Sequence, residues 1–200
     1  MIRDDLSDKL IHLTRGPTRE AAALTFLTIL GQRMLRGGTG CIKGNWKCVC
    51  FTEAPISKLS TILANPSAHG SRYEPYGIMV DKKWLFAKGG RPVIYQSDSE
   101  YELLPDGIKY RHVRYEPGQE IDFTWEREWR IKTDTLPLDP EAVTLVVPER
   151  LVKDGLIDVR LADLYREHNE TGLMPQAALS PYPWHFIVLS DLGIPIGAWK

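Results

Sequence analysis

The residues with the clearest capacity for chemistry lie in Asp122-Phe123-Thr124-Trp125-Glu126-Arg127-Glu128-Trp129-Arg130-Ile131. Read as an extended strand, this stretch sorts with a period of two: Phe123, Trp125, Arg127, Trp129 and Ile131 on one face, Thr124, Glu126, Glu128 and Arg130 on the other. Two carboxylates would then stand about 7 Å apart on one rigid strand, its aromatic face packed against a core. Paired carboxylates held this way suit a reaction in which positive charge develops beside them. The same pattern also describes a solvated edge with Glu–Arg cross-strand pairs.

Two further stretches carry candidate groups. In Leu10-Ile11-His12-Leu13-Thr14, followed by Arg15 and Gly16, His12 and Thr14 share a strand face, where a ligand edge could meet an imidazole and a hydroxyl together. A histidine among apolar residues is also an ordinary satisfied core or surface group. In Cys48-Val49-Cys50-Phe51-Thr52-Glu53-Ala54-Pro55, a strand runs into a proline-started helix, with Thr52 and Glu53 at its end. There they face a cleft, or they cap the first helical turn.

The elements that must position these groups follow from periodicity and punctuation. Leu10–Thr14 reads as a strand. A helix from near Thr18, after Pro17, carries Ala23, Phe26 or Leu27, Leu30 and Met34, and Gly37-Gly38 ends it. Lys47–Thr52 alternates, with Val49 and Phe51 opposite Cys48 and Cys50. Pro55 opens a helix with Ile56, Leu59, Ile62 and Leu63, ended by Asn65-Pro66. Tyr76–Val80 is a strand, and Asp81 caps a short helix through Lys88. Pro92–Gln96, Tyr110–Tyr115, Asp122–Lys132 and Ala142–Val147 favour strand. Pro148–Lys153 and Arg160–His168 read as helices, and His185–Leu189 as a last strand. Short strands with most helices early give an α+β fold rather than a βαβ repeat.

Composition sets outer limits. The 200 residues make one ordinary domain, and 43% hydrophobic content, with six Trp and eight Tyr, supplies its core. With 25 basic against 26 acidic residues the net charge is −1, so a nucleic-acid duplex would be held locally, not by a global positive field. No apolar run reaches the length of a bilayer span, and the polar start Met1-Ile2-Arg3-Asp4-Asp5 lacks the stretch of a signal peptide. Three cysteines point to a reducing compartment, and the expected location is the cytoplasm.

The order of these motifs carries a resemblance. A His-x-Thr strand, a long helix and a Cys-Phe-Thr-Glu-x-Pro turn are followed by Tyr76-Gly77-Ile78-Met79-Val80, Gly90-Arg91-Pro92-Val93-Ile94-Tyr95 and Trp125-Glu126-Arg127-Glu128-Trp129-Arg130. Over Leu10 to Ile131 this resembles bacterial abortive-infection proteins of the AbiGi type, themselves similar to the ADP-ribosyltransferase fold, including DNA-modifying toxins such as DarT. The resemblance implies a single domain over 1–200 with a split, mostly antiparallel β core and flanking helices, gripping NAD in an open cleft. It implies that His12 and Thr14 contact the adenosine ribose and the nicotinamide side, with Arg15 as the alternative first-strand residue. Thr52 would occupy the second-strand position, and Tyr73 or Tyr76 would stack on nicotinamide. Glu128 would bind the nicotinamide ribose and Glu126 would position or deprotonate the acceptor. The implied activity is a toxin or antiviral defence effector that transfers ADP-ribose to a nucleic acid or protein, with a cognate antitoxin or defence-system partner.

Other readings compete. A metal-dependent nuclease would draw on Asp81-Lys82-Lys83 and Asp98/Glu100, and a non-catalytic sensor or binding module could use the same fold. Cys41, Cys48 and Cys50 with His69 or His12 lack standard zinc spacing, so buried reduced thiols are expected. Lys88-Gly89-Gly90-Arg91 reads as a helix stop more than a phosphate loop. Asn65–Pro75, with His69, Arg72 and Tyr73, is a candidate lid. Lys109, Arg111, His112 and Arg114 read as a solvated basic face, and Pro181-Tyr182-Pro183-Trp184-His185 as a segment that buries Trp184.

Overall fold

The computed structural model describes residues 7–64, 73–171 and 183–194. The first half of the chain holds β1 (Lys9–Arg15), α1 (Arg19–Gln32), β2 (Met34–Arg36), β3 (Cys48–Thr52), α2 (Ile56–Ala64), β4 (Tyr73–Asp81) and α3 (Lys82–Ala87). The second half holds β5 (Arg91–Pro92), β6 (Ile94–Gln96), β7 (His112–Arg114), β8 (Glu128–Lys132), β9 (Thr135–Pro137), β10 (Val143–Val147), α4 (Arg150–Thr171) and β11 (His185–Val188). Seven strands form one sheet in the order β11-β10-β4-β1-β3-β8-β5, and only the β10–β11 pair is parallel. This is the α+β class that the element pattern implied, with the mostly antiparallel sheet that the resemblance implied.

The sheet is made of two well-paired halves. β1 and β4 are in register from Lys9 opposite Asp81 to Arg15 opposite Tyr73, with an irregularity between Leu13 and Arg15. β3 and β8 are in register from Cys48 opposite Lys132 to Thr52 opposite Glu128. Among the described residues the two halves meet at one ladder pair, Ile11 opposite Thr52. Continued antiparallel pairing would set Leu13 opposite Cys50, but the strands part there.

Period-two alternation decides what each face buries. Leu10, Val49, Phe51, Ile78, Val80, Trp129, Ile131 and Leu145 form the main core with Ala22, Phe26 and Ile29 of α1. On the other face, Ile11, Leu13, Met79 and Val146 pack against Leu59, Ile62 and Leu63 of α2. Among the described residues no helix is long and apolar enough to cross a membrane.

Several elements differ from expectation for identifiable reasons. Thr18 caps α1 by accepting from the Ala21 N–H, as its position after Pro17 suggests. The helix ends early, because Arg33 adopts a left-handed conformation (φ 48°) and its N–H turns back to Ile29 and Leu30 carbonyls. Met34–Arg36 then pairs with β9 as a strand. Leu27 is 48% exposed, so Phe26 is the residue that faces the core. Asp81 makes no side-chain cap and pairs instead with Lys9. The Pro92–Gln96 strand divides at Val93: β5 joins β8, while β6 pairs with β7. The two helices expected over Pro148–Lys153 and Arg160–His168 merge into one, α4, which begins at Arg150 and passes through Gly155 at a cost of about 1 kcal/mol. His69, Arg72 and the Pro181-Tyr182 pair lie outside the described residues.

Gly37 is where the backbone demands glycine. A Cβ there would lie 1.9 Å from the Thr133 carbonyl oxygen, whereas at Gly38 it would meet nothing within 4 Å. Gly37→Ala is therefore expected to cost about 1–3 kcal/mol and to lower the thermal midpoint by several degrees. Gly38→Ala, measured in the same melts, should leave the midpoint nearly unchanged.

Candidate functional site

The parting of β1 from β3 opens a cleft of about 620 Å³. Thr14, Arg15 and Tyr73 line it from one half of the sheet, and Cys50, Thr52, Glu126, Glu128 and Arg130 from the other. Of the residues singled out in the sequence, Glu126, Glu128, His12, Thr14, Arg15, Thr52 and Tyr73 all reach this lining. Tyr76 does not. It is buried in the main core with its ring centroid 5.7 Å from that of Phe26, because strand alternation turns it to the α1 side.

The two carboxylates do not share one strand. Asp122 Oδ1 accepts from the Thr124 N–H (2.8 Å) and hydroxyl (2.6 Å), starting a 3₁₀ turn over Thr124–Glu126. Arg127 then takes a left-handed conformation (φ 45°), and the extended backbone begins only at Glu128. The expected eleven-residue strand is thus a turn followed by a short strand. Alternation survives in β8, where Trp129 and Ile131 enter the main core and Glu128 and Arg130 line the cleft. Phe123, expected on the buried aromatic face, is 42% exposed and lines the cleft.

Arg130 braces Glu128. Its Nε and Nη2 donate to Glu128 Oε1 and Oε2 at 2.8 and 3.0 Å, and Nη1 donates to the Tyr110 and His112 carbonyls, each at 2.9 Å. With Arg130 buried and Glu128 largely so, this bidentate fork satisfies the charges and fixes the carboxylate plane. The Glu128 N–H donates to the Tyr95 hydroxyl at 3.1 Å, and that hydroxyl donates to the Phe123 carbonyl at 3.3 Å. Burial pushes the Tyr95 phenol up to about 12, which keeps it a donor.

The corner after β3 holds the turn that carries Glu126. The Thr52 hydroxyl donates to the Glu126 carbonyl (2.5 Å) and accepts from the Ala54 N–H (3.1 Å), and the Glu53 N–H donates to the Arg127 carbonyl at 3.2 Å. Thr52 therefore acts through the protein backbone. Glu53 is more than a helix cap: it is buried, and its carboxylate accepts from Lys82 Nζ and from Trp129 Nε1, both at 2.7 Å. One corner thus ties the turn before Glu128 and the indole after it to the same short segment.

The Glu126 carboxylate accepts from the Tyr73 hydroxyl at 3.3 Å, and Arg15 donates to that same hydroxyl while its guanidinium sits 4.1 Å from the Tyr73 ring centre. Burial, then the nearby Glu128, pushes Glu126 up to about 6; Arg15 and the Tyr73 hydrogen bond act in the opposite direction. Burial and Glu126 likewise raise the Tyr73 phenol. On β1, His12 Nδ1 donates to the Cys50 carbonyl at 2.8 Å, where the β1–β3 ladder would otherwise have continued. Burial holds the imidazole below its ordinary value, so the neutral ring carries its proton on Nδ1 and leaves Nε2 as an acceptor. Thr14 is buried and donates to the Tyr76 carbonyl at 3.1 Å, joining β1 to β4 across their register irregularity.

The remaining candidates are dispersed. Asp81 pairs with Lys9, Lys82 with Glu53 and Asp98 with Lys43, while Glu100 caps Ser97, so the carboxylates of the nuclease reading do not converge. Among the described residues no group of three or more His, Cys, Asp or Glu could hold a metal ion. Cys48 is buried and Cys41 exposed; burial and Glu128 push the Cys50 thiol well up. Arg91 is bound to the Phe86 and Gly90 carbonyls and lies over the Phe86 ring, away from any phosphate loop. The basic face is not a bare solvated one: His112 is buried against Tyr101, and Lys109 and Arg114 pair with Glu102 and Glu116. Sequence reasoning did not single out Arg36 or Tyr95. Both come from short strands whose neighbours are distant in sequence, so no local pattern marked them.

Removing the Glu53 carboxylate would leave a partly buried ammonium and a buried indole N–H without their acceptor. Glu53→Ala is expected to lose about 3–5 kcal/mol in denaturant titration, with Trp129→Phe losing less. Equal and near-zero costs for the two would mean that the corner does not brace β8.

No family model, curated protein or solved structure matches this chain.

Proposed function

We propose that this chain cleaves NAD and transfers ADP-ribose to an acceptor, acting in the cytoplasm as a toxin or phage-defence effector, alone or with a cognate antitoxin or defence-system partner. The observation that carries the reading is the meeting of Glu126 and Glu128 in a cleft opened where the two halves of an antiparallel sheet part. The AbiGi-like motif order and its likeness to ADP-ribosyltransferases such as DarT support the same reading.

The chemistry follows from what each carboxylate can do. As the bond between the nicotinamide nitrogen and ribose C1′ breaks, its electron pair leaves with nicotinamide and positive charge develops on the ribose. Glu128, held in one orientation by Arg130, stabilises that charge without having to reorganise. Glu126, half-titrated near pH 6, accepts the proton of an acceptor hydroxyl or nitrogen as the new bond to C1′ forms. His12 Nε2 offers an acceptor for the rest of the dinucleotide, and Arg15, engaged with Tyr73, stands beside Glu126. The acceptor is a nucleic acid or a protein.

The test is NAD turnover by the purified chain, with and without DNA, RNA and lysate. Glu128→Gln should reduce nicotinamide release by about 10²–10³-fold, the scale of a lost charge-stabilising group. Absence of both turnover and NAD binding in the wild type would sink the reading and leave a binding module on the same cleft.

The Glu126 shift adds a pH dependence. Because its folded value is raised to about 6, the ionised base is fully populated only above that value. Turnover should fall as pH drops through about 6, and Glu126→Gln should remove this limb from the profile. A limb that persists in the variant would assign the proton transfer to another group.

A further inference from the structure

We infer that Arg36 is the anchor for the pyrophosphate of a nucleotide ligand, a deepening that rests on the NAD reading of the cleft. Among the described residues, the cations on the cleft lining are already committed with one exception. Arg130 is bound to Glu128, Lys43 to Asp98 and Arg114 to Glu116, and Arg15 is engaged with Tyr73 beside Glu126. Arg36 has no carboxylate partner among the described residues. Its Nε and Nη2 both donate to the neutral Gln32 Oε1, at 3.3 and 3.2 Å.

That arrangement orients the guanidinium without neutralising it. Gln32 ends α1 and Arg36 ends β2, so the contact spans the left-handed turn at Arg33, and β2 itself is fixed by pairing with β9. The planar fork keeps its full charge and N–H groups beyond the two that bind Gln32, and it lines the cleft, a group that suits two phosphate oxygens. Beside it, Gly38 and Gly40 line the cleft with no Cβ and with nothing within 4 Å of where one would stand, leaving room for a ligand to approach the backbone. The opposing carboxylates, Glu126 and Glu128, bar anionic groups from their own end. A dinucleotide would thus lie with its reacting ribose at the carboxylates and its phosphates at Arg36.

The experiment measures binding of ADP-ribose, inorganic pyrophosphate and adenosine to the full chain by calorimetry, alongside nicotinamide release from NAD. Variants are Arg36→Gln and Arg36→Lys, each checked by thermal melting. Arg36 is exposed, so neither should alter the fold. Arg36→Gln should weaken ADP-ribose and pyrophosphate by about 10- to 100-fold and adenosine little, with Arg36→Lys intermediate because it keeps the charge and loses the fork. Unchanged ADP-ribose affinity and unchanged KM for NAD in Arg36→Gln would overturn the Arg36 assignment and leave NAD cleavage standing. Phosphate-dependent binding with no nicotinamide release would support the anchor and refute the cleavage reading. A wild type that binds neither ADP-ribose nor pyrophosphate overturns both.

Discussion

Thr52 sits where every constraint on the cleft converges. Its backbone faces Ile11 across one strand boundary and Glu128 across the other, so it joins the two halves of the sheet. Its hydroxyl then closes the corner by holding the Glu126 carbonyl and the Ala54 N–H. A ladder that continued past this residue would close the gap between β1 and β3. A ladder that stopped sooner would separate the halves altogether. One pair of registered residues therefore sets both the existence of the cleft and the height at which the carboxylates enter it.

The buried and partly buried charges beside this joint are difficult to explain by stability. Replacing a buried ion pair with well-packed apolar groups is often neutral or favourable, yet Glu128–Arg130 and Glu53–Lys82 both lie in the β3–β8 half next to the opening. The second pair holds the indole of Trp129, whose neighbour in sequence is the carboxylate braced by the first. Charge placed this way fixes orientation, since a hydrogen-bonded fork has one geometry where an apolar contact tolerates several. The cluster makes sense as a means of holding Glu128 still.

How far the sequence revealed this depends on whether the relevant contacts were local. β1, β3 and β4 were legible because alternation over five or more residues is a direct record of two buried faces. The helix start near Thr18 and the proline-opened α2 were legible from their punctuation. The Glu126–Glu128 segment was misread as one strand because its aromatic spacing fits period two, although Asp122-x-Thr124 already carried the signature of a turn. The sequence offers Tyr76 or Tyr73 for the same role, and only β4 pairing decides which tyrosine faces the cleft. Burial of His112 and Glu53 depends on Tyr101, Ser97, Lys82 and Trp129, partners that no window around either residue contains.

The misread turn also changes what the two carboxylates can do. On a single strand both would be fixed to the same rigid surface and would respond alike. With Arg127 in a left-handed conformation, Glu128 begins a paired strand and is gripped at both oxygens, while Glu126 ends a turn and, among the described residues, its carboxylate accepts one 3.3 Å bond, from Tyr73. Stabilising a developing cation calls for a charge already in place, because reorganisation during the reaction raises the barrier. Moving a proton calls for a group whose affinity lies near the working pH, and burial beside a second carboxylate supplies that at Glu126. The break in the strand separates the two environments, and the same residue types two positions apart become a fixed charge and an adjustable base.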